Sequence, residues 1–329
     1  AWTSESGGQP VFLVGDLRTA SATLRALRAR PAANLDPMGL FLTDSAGGIG
    51  AVQGVPVLGR LEDVPEAVAQ TGVATVILAA PHGGEPAVTG LWRRFQAAAA
   101  DVYVAALPSG GMSETAPLRL RRLSVRPLDA RRTLAKAAVD YGLGGLLTLA
   151  VLPAMAVIAL AVRLESRGPV LFRQMRTGLN GQPITVYKFR SMYHEMGDVQ
   201  AKVATRQDDP RVTRVGAVLR RTSLDELPQL LNVMQGRMSL VGPRPHAPAS
   251  RAGGLLFPEA DAAYEARHRV KPGVTGLAQV NGWRGTTDTR RQLQERVRHD
   301  LWYVENWTPW LDLKIILKTP FAMIGRNVY

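Results

Sequence analysis

An apolar segment, Gly142–Val162, constrains this chain more than any other stretch. Its 21 residues include no charged side chain. A helix of about 20 apolar residues is long enough to span the hydrocarbon core of a bilayer, and a soluble domain rarely needs one. A buried core helix is the alternative. The segment therefore predicts contact with a membrane.

Two details of this segment argue against a simple crossing. Pro153 lies near its middle, where a proline removes a backbone hydrogen bond and breaks or kinks a helix. Both flanks are basic, with Arg131, Arg132 and Lys136 before the segment and Arg163, Arg167 and Arg173 after it. Since basic flanks tend to stay in the cytoplasm, we predict a re-entrant membrane helix over residues 131–166, broken at Pro153.

The charge of the chain is divided unevenly. Residues 1–130 carry 11 basic and 11 acidic residues, whereas residues 131–329 carry 29 basic and 16 acidic residues, which accounts for the net charge of +13. This surplus predicts an anionic partner, such as a phosphorylated substrate, lipid headgroups or nucleic acid. The absence of cysteine excludes a disulfide framework and a thiolate metal site, and it permits a cytoplasmic location.

Residues 1–130 show the pattern of an α/β domain. Apolar runs alternate with helical patterns, at Val11–Asp16, Met38–Asp44, Val73–Ala79 and Val102–Val104. Such alternation predicts a Rossmann-like parallel sheet. The glycine fingerprint of a dinucleotide site is missing after the first run, so we expect a regulatory or structural domain, with a bound nucleotide as the alternative. Because the chain begins at Ala1 with a linker-like stretch, we expect that the natural protein extends further.

A β-hairpin is predicted after the apolar segment. Asn180-Gly181 separates two apolar runs, which is a strong hairpin signal. Lys188 and Arg190 are two residues apart in the second run, so we expect them on one face of the strand. A solvated basic strand is the alternative for these two residues.

The stretch Arg220–Leu231 places two adjacent carboxylates at a predicted helix start. Ser223 as N-cap and Glu226 three residues later would form a capping box, and Pro228 fits only near a helix start. The helix dipole would then keep Asp225 ionised and available as a nucleophile. Alternatively, the two acids only stabilise the helix start.

Three later stretches supply further candidates. Arg244 lies between two prolines on a stiff backbone that suits a phosphate clamp. The glycine-punctuated loop Lys271–Gly282 could bind phosphate oxygens through its amides. The tryptophan-rich stretch Asp300–Lys318 predicts either an interfacial membrane helix or a core helix with lysines that reach outward.

The motifs together resemble the bacterial sugar transferase family, the monotopic polyprenyl-phosphate phosphoglycosyl transferases. Six motifs carry the resemblance in order, at Gly168–Gln174, Tyr187–Met192, Arg220–Leu230, Ser239–His246, Lys271–Gly282 and Asp300–Trp307. The first 130 residues resemble the Rossmann-like domain of the large members. The resemblance implies a mixed, largely helical catalytic domain over residues 167–329, with an interfacial C-terminal helix.

The resemblance implies transfer of a sugar 1-phosphate from a UDP-sugar to undecaprenyl phosphate, with release of UMP. Asp225 would be the nucleophile, and Glu226 of the same dyad would hold Mg²⁺. The match also assigns phosphate or nucleotide binding to Arg220 and Arg244. Weaker candidates for substrate binding, chosen for charge and motif membership, are Lys188, Arg190, Lys271 and Arg284.

The stretches Pro243–Ala247 and Asn281–Thr289 are similar to the subgroup that transfers glucose 1-phosphate to start exopolysaccharide synthesis. Galactose or an N-acetylated sugar remains open as the donor sugar. The family implies the bacterial inner membrane, with the catalytic domain on the cytoplasmic face in contact with lipids, and a homodimer is a further expectation. The rival hypothesis is a basic module without catalysis that binds a membrane surface or nucleic acid, but no recognised nucleic-acid module supports nucleic acid.

Overall fold

A computed structural model describes residues 8–29, 34–43, 49–79, 88, 90–92, 95–106, 119–196, 209–285 and 287–323. The chain divides into two compact units, Ala1–Pro127 and Leu128–Tyr329. The first unit is built on a β-sheet, and the second is largely helical.

A seven-stranded sheet forms the core of the first unit. Its strands are β1 Gln9–Gly15, β2 Leu35–Leu42, β3 Ala51–Val52, β4 Val55–Arg60, β5 Thr75–Ala79, β6 Asp101–Ala106 and β7 Arg119–Ser124. The order is β3-β4-β2-β1-β5-β6-β7, with parallel pairing from β4 to β6 and antiparallel strands at both edges. Helices α1 Leu17–Arg28 and α2 Val64–Thr71 and the 3₁₀ turn Leu61–Asp63 also belong to this unit. The predicted α/β fold with a parallel sheet is confirmed.

At the turn after β1, the first backbone N–H groups of α1 already have a hydrogen-bond partner within the chain. The Asp16 carboxylate caps α1 by accepting hydrogen bonds from the backbone N–H groups of Arg18 and Thr19, at 3.0 and 2.9 Å. These N–H groups are the ones that an anion would need at a helix N-terminus. A side chain at Gly15 would also meet the carbonyl oxygen of Ala79 at 2.6 Å, so the glycine serves close packing between strands.

The second unit contains seven helices and six strands in its described part. The helices are α3 Ala130–Glu165, α4 Arg214–Thr222, α5 Gln229–Met234, α6 Phe257–Ala260, α7 Leu277–Val280, α8 Arg290–Glu305 and α9 Pro309–Met323. The strands are β8 Leu171–Thr177, β9 Pro183–Phe189, β10 Ser239–Val241, β11 Arg251–Ala252, β12 Leu255–Leu256 and β13 Gly273–Thr275. Four 3₁₀ segments lie at Leu179–Gly181, His194–Met196, Leu224–Glu226 and Tyr264–Arg269.

Strands β8 and β9 form the predicted hairpin. They pair in antiparallel register from Leu171 opposite Phe189 to Thr177 opposite Pro183. Asn180 adopts a left-handed conformation in the connection, with φ of 55°. Asparagine tolerates this conformation better than most residues, which is why the asparagine-glycine pair is a reliable turn signal.

Helix α3 carries the apolar segment. Among the residues that the structure describes, it is the one helix long and apolar enough to cross a membrane. Its outward side chains are apolar and exposed, with exposed fractions of 70% for Leu149 and 69% for Val157. Side chains of this kind are stabilised by lipid rather than by water, so α3 indicates membrane association.

The predicted break at Pro153 is not present as an interruption, because α3 runs through this residue as one assigned helix. Proline lacks an N–H, so the carbonyl of Leu149, four residues earlier, loses its helical donor. A proline inside a helix is a common cause of kinking, and a bend is compatible with an uninterrupted helix. The re-entrant topology therefore stays a prediction.

A buried ionic network ties α3 to the rest of its unit. Lys136 Nζ donates to Asp140 Oδ1 at 3.0 Å and to Asp312 Oδ2 on α9 at 2.7 Å. Asp140 Oδ1 also accepts from the Ser239 hydroxyl at 2.8 Å and from the Leu240 N–H at 3.0 Å. Burial raises the pKa of Asp312, and the Lys136 charge opposes this shift. Lys136 and Asp140 together thus link α3, β10 and α9.

Helix α9 presents two different faces. Asp312 and Ile315 are buried, at 0% and 1% exposure. Trp310, Leu317 and Phe321 are 61%, 61% and 78% exposed. The buried face of α9 packs on the second unit, as expected for a core helix. Its exposed aromatic face suits a lipid headgroup region, as expected for an interfacial helix. Each of the two predicted alternatives thus describes one face of α9.

We predict that Lys136→Met lowers the free energy of unfolding of the second unit by about 3–5 kcal/mol, because it leaves two buried carboxylates without their cation. Chemical denaturation in detergent measures this change. The matched control is Arg132→Met, on the same helix but exposed, which should change the free energy by less than about 0.5 kcal/mol. Equal losses for both variants would contradict the assignment.

We predict that both ends of α3 face the cytoplasm. The chain has no cysteine, so single substitutions Arg132→Cys and Arg167→Cys place one thiol at each end. Both should react with a membrane-impermeant maleimide in inside-out vesicles, as should a Glu305→Cys marker on α8, and none should react in spheroplasts. Reaction of one end only from the opposite side would show that the helix crosses.

Candidate active site

The two adjacent acids lie on a short 3₁₀ turn, Leu224–Glu226, between α4 and α5. Ser223 ends α4 in the left-handed conformation, with φ of 58° and ψ of 20°. Its side chain makes no capping hydrogen bond to the following turn. The predicted capping box is therefore wrong, because the left-handed backbone of Ser223 starts a sharp turn and its hydroxyl accepts a hydrogen bond from Arg284 Nη2 instead.

Glu226 is held by two cations. Lys188 Nζ donates to Oε1 at 2.7 Å, and Arg244 donates through Nη2 to Oε1 at 2.5 Å and through Nη1 to Oε2 at 3.0 Å. This two-point arginine contact fixes the orientation of the carboxylate. Burial opposes ionisation of Glu226, but the charges and hydrogen bonds of Arg244 and Lys188 outweigh it and hold the pKa well below its ordinary value.

Asp225 lies in a different environment on the same turn. Burial raises the pKa of Asp225, the Glu226 charge adds to this shift, and the charges of Lys188, Arg220 and Arg244 oppose it. The expectation that a helix dipole lowers the pKa of Asp225 is not met. The 3₁₀ turn is three residues long and the following helix α5 has only six, so the dipole is weak.

Four of the six predicted basic residues surround this turn. Lys188 and Arg244 bind Glu226 directly. Arg220, at the end of α4, places its charge close enough to affect Asp225. Arg284 binds the Ser223 hydroxyl and is coupled electrostatically to both acids.

Arg190 lies elsewhere and binds the C-terminal end of α3. Its guanidinium donates to the carbonyl oxygens of Ser166 at 2.7 Å, Arg167 at 2.8 Å and Val162 at 3.3 Å. Strand β9 ends at Phe189, so the two-residue alternation that would keep Arg190 beside Lys188 no longer applies. In this arrangement Arg190 binds one carbonyl in the last turn of the long helix and two carbonyls just after it. None of its described contacts is with Glu226.

Lys271 also lies apart from the acidic turn. Burial lowers its pKa, the Asp140 charge opposes this shift and the Lys136 charge adds to it. Lys271 is thus close to the ionic network formed by Lys136 and Asp140 in the N-terminal part of α3. The backbone around Lys271 packs closely on β10, since a side chain at Gly242 would meet the Lys271 carbonyl oxygen at 2.4 Å.

An apolar cavity of about 330 Å³ opens beside the acidic turn. Leu147 and Val151 of α3 and Leu230 of α5 line it, and Ile316 and Pro320 of α9 contribute further apolar surface. Its polar lining comes from Ser223, Glu226, Thr275, Gln279, Arg284 and Thr319. The cavity thus connects the charged turn to the helix that indicates membrane association.

A buried group of basic residues behind Arg244 was missed by the sequence analysis. Arg267 donates to Asp300 Oδ2 at 2.6 Å and to the Arg244 carbonyl oxygen at 2.8 Å. The two ring nitrogens of His246 face Arg267 at 2.8 Å and Arg296 at 3.2 Å. No local pattern predicts these contacts, because the residues that contact each other are more than 20 positions apart along the chain.

Arg176 is a further basic residue that the sequence analysis did not select. It lies on β8, and the charges of Arg244 and Glu226 act on it. Burial and the Arg244 charge lower the pKa of Arg176 to about 10, so it remains protonated at neutral pH. The sequence offered one signal for Arg176, its position just after the first motif. From the sequence, however, nothing distinguished Arg176 from Arg173.

The two acids suit a hard cation such as Mg²⁺. Three hydrogen bonds occupy Glu226, two on Oε1 and one on Oε2, so one acceptor direction on Oε2 stays open among the described contacts. Mg²⁺ is typically bound by one or two carboxylates together with phosphate oxygens and water. The described residues contain no group of three or more candidate metal ligands.

Comparison with known proteins gives two family matches and several close relatives. Residues 131–326 match the bacterial sugar transferase family, and residues 2–106 match a CoA-binding domain family. A Komagataeibacter xylinus protein named undecaprenyl-phosphate glucose phosphotransferase is 47% identical over 264 residues, which cover 78% of this chain and 48% of that protein.

Two further relatives extend this comparison. An Escherichia coli K12 protein named UDP-glucose:undecaprenyl-phosphate glucose-1-phosphate transferase is 50% identical over 204 residues, 62% of this chain and 43% of that protein. The exopolysaccharide production protein PSS of Rhizobium leguminosarum bv. phaseoli is 50% identical over 194 residues, 58% of this chain and 96% of that protein. This chain spans about half the length of the first two relatives. Because the family match covers more than half of it, from α3 through α9, the chain belongs to the bacterial sugar transferase family.

Proposed function

We propose that this chain transfers glucose 1-phosphate from UDP-glucose to undecaprenyl phosphate, through a covalent intermediate on Asp225. One observation carries the proposal: Glu226, which is paired with Lys188 and Arg244 and follows Asp225 on the same turn, lines an apolar cavity that α3 helps to form. The names of the relatives favour glucose. Galactose and N-acetylhexosamine donors are the alternatives that a donor panel separates.

In the first half-reaction, a carboxylate oxygen of Asp225 attacks the phosphorus that carries the sugar. The bond from this phosphorus to the bridging oxygen breaks, and the electron pair leaves with UMP. In the second half-reaction, an oxygen of undecaprenyl phosphate attacks the same phosphorus, and the bond to Asp225 breaks to restore the carboxylate. Such transfers depend mainly on positioning and on charge stabilisation.

The basic residues around the turn supply that charge stabilisation. Lys188 and Arg244 already meet at Glu226, so Glu226 holds both cations near the position of the reacting phosphate. Arg220 and Arg284 bring two further positive charges to the acids. We infer that Glu226 positions these cations, while Asp225 attacks.

We propose that Glu226 holds Mg²⁺ when the donor is bound. The ion would supply charge neutralisation to the diphosphate oxygens. Glu226 Oε2 would be the ligand atom, because it accepts only one of the described hydrogen bonds.

The location follows from the same features. We propose that the chain lies at the bacterial inner membrane, with its acidic turn on the cytoplasmic face, where UDP-sugars are available. The open apolar faces of α3 and α9 would contact lipid. Undecaprenyl phosphate would enter through the apolar cavity, since a long polyprenyl chain needs an apolar path.

We predict that the protein in lipid releases UMP from UDP-glucose when undecaprenyl phosphate and Mg²⁺ are present. UDP-galactose and the UDP-N-acetylhexosamines serve as the comparison donors, and release is measured by chromatography. Chelation of Mg²⁺ should stop release, and added Mg²⁺ should restore it. Absence of release from every donor by folded protein would refute the proposed activity.

We predict that Asp225→Asn lowers turnover by at least about 10⁴-fold, because an amide cannot act as the nucleophile. With UDP-glucose and no acceptor, intact-protein mass spectrometry should detect a phosphosugar adduct on the unsubstituted protein and none on the variant. The control is Glu305→Gln, an exposed carboxylate at the end of α8, which should retain both turnover and adduct. Turnover by Asp225→Asn would refute the covalent role.

A further inference from the structure

We propose that Arg176 binds the phosphate of the nucleoside monophosphate that leaves in the first half-reaction. This inference rests on the proposed function and adds a binding residue to it. Four observations on the hairpin, on the neighbouring loop, on the charge of Arg176 and on the cavity carry it.

Arg176 shares a face of the hairpin with Lys188. Strand β8 pairs with β9 so that Phe172 lies opposite Lys188 and Arg176 lies opposite Ile184. Residues two apart on a strand point to the same side, so Phe172, Gln174 and Arg176 share the side of Lys188. Lys188 on that side reaches Glu226 at 2.7 Å, so this is the active-site face.

The end of β8 docks on the loop that carries Arg244. The N–H of Thr177, the next residue, donates to the carbonyl oxygen of His246 at 3.2 Å. His246 is two residues after Arg244 in the proline-flanked loop. This backbone contact holds Arg176 beside the loop, and the charges of Arg244 and Glu226 are both felt at its guanidinium.

The charge of Arg176 is met by no carboxylate in the described ion pairs. Its guanidinium donates to the neutral amide oxygen of Gln174. By contrast, Arg244 is paired with Glu226, and Arg267 is paired with Asp300. A partly buried guanidinium next to another cation is unfavourable unless an anion joins it, and planar arginine suits phosphate.

The position of Arg176 favours the leaving phosphate over the lipid phosphate. Arg176 interacts with the charges of Arg244 and Glu226, and none of its described contacts is with Asp225, the nucleophile. An in-line displacement places the leaving group opposite the attacking oxygen. Arg176 is also absent from the lining of the apolar cavity, the proposed path for the polyprenyl chain.

The role in the reaction follows from this placement. When the bond between the sugar-bearing phosphorus and the bridging oxygen breaks, the electron pair moves onto the departing UMP. Arg176 would donate hydrogen bonds to the phosphate oxygens of UMP as this charge develops. It does not exchange a proton, so the half-reaction stays balanced as a transfer of the phosphosugar from UMP to Asp225.

The test compares Arg176→Gln with Arg173→Gln. Arg173 is on the same strand but exposed on the other face, over the ring of Tyr187 at 6.0 Å. We expect Arg176→Gln to weaken UMP binding, measured by calorimetry on the protein in lipid, by about 10- to 100-fold, as for loss of a charged hydrogen-bond donor. Arg173→Gln should bind UMP as the unsubstituted protein does.

Kinetics then separate binding from folding. In Arg176→Gln, KM for UDP-glucose and the inhibition constant for UMP should rise together, while KM for undecaprenyl phosphate stays unchanged. Arg176→Lys, which keeps the charge, should recover part of the UMP affinity. The role of Arg176 is overturned if the two glutamine variants bind UMP equally, whether both keep the affinity of the unsubstituted protein or both lose it.

The same measurements distinguish this inference from the proposed function. If the unsubstituted protein turns over UDP-glucose but Arg176→Gln keeps its affinity for UMP, only the role of Arg176 fails. If the unsubstituted protein neither releases nor binds UMP, the proposed function fails, and the role of Arg176 fails with it.

Discussion

The ionic contact of Glu226 with Lys188 and Arg244 is the interaction on which the site depends. It joins three segments that are far apart along the chain: the acidic turn, the β8–β9 hairpin and the proline-flanked loop. Replacing one cation would leave the carboxylate partly unpaired in a desolvated place, which is costly. The contact therefore fixes the turn, and through it the position of Asp225, relative to both basic segments.

The long helix α3 is connected to this arrangement at both of its ends. Near its start, Asp140 accepts from the N–H of Leu240 on β10, the strand that leads into the Arg244 loop. Near its end, both oxygens of Glu165 accept from the N–H of Val215 at 3.1 Å, at the start of α4, whose other end leads into the acidic turn. A helix that contacts lipid thus supports both sides of the site.

Local signals predicted the local structure, and long-range packing decided the rest. The asparagine-glycine pair gave the hairpin because turn chemistry is set by two residues. Ser223 failed as an N-cap because its left-handed backbone is fixed by the junction of two helices. Arg190 and Lys188 differ in role because β9 ends between them. Arg176 and Arg267 acquire their neighbours from segments distant in sequence, which no periodicity reveals.

The two adjacent acids acquire different chemistry from their contacts. Glu226 accepts three hydrogen bonds from cations, and its pKa is held well below the ordinary value, so its oxygens are stabilised and weakly nucleophilic. The Asp225 carboxylate accepts no hydrogen bond among the described contacts, and burial raises its pKa. Groups whose environments separate their pKa values in this way take separate roles. The less paired oxygen is the better nucleophile once ionised, and nearby basic residues favour that ionisation. The geometry therefore favours Asp225 for attack and Glu226 for holding the charges that attack requires.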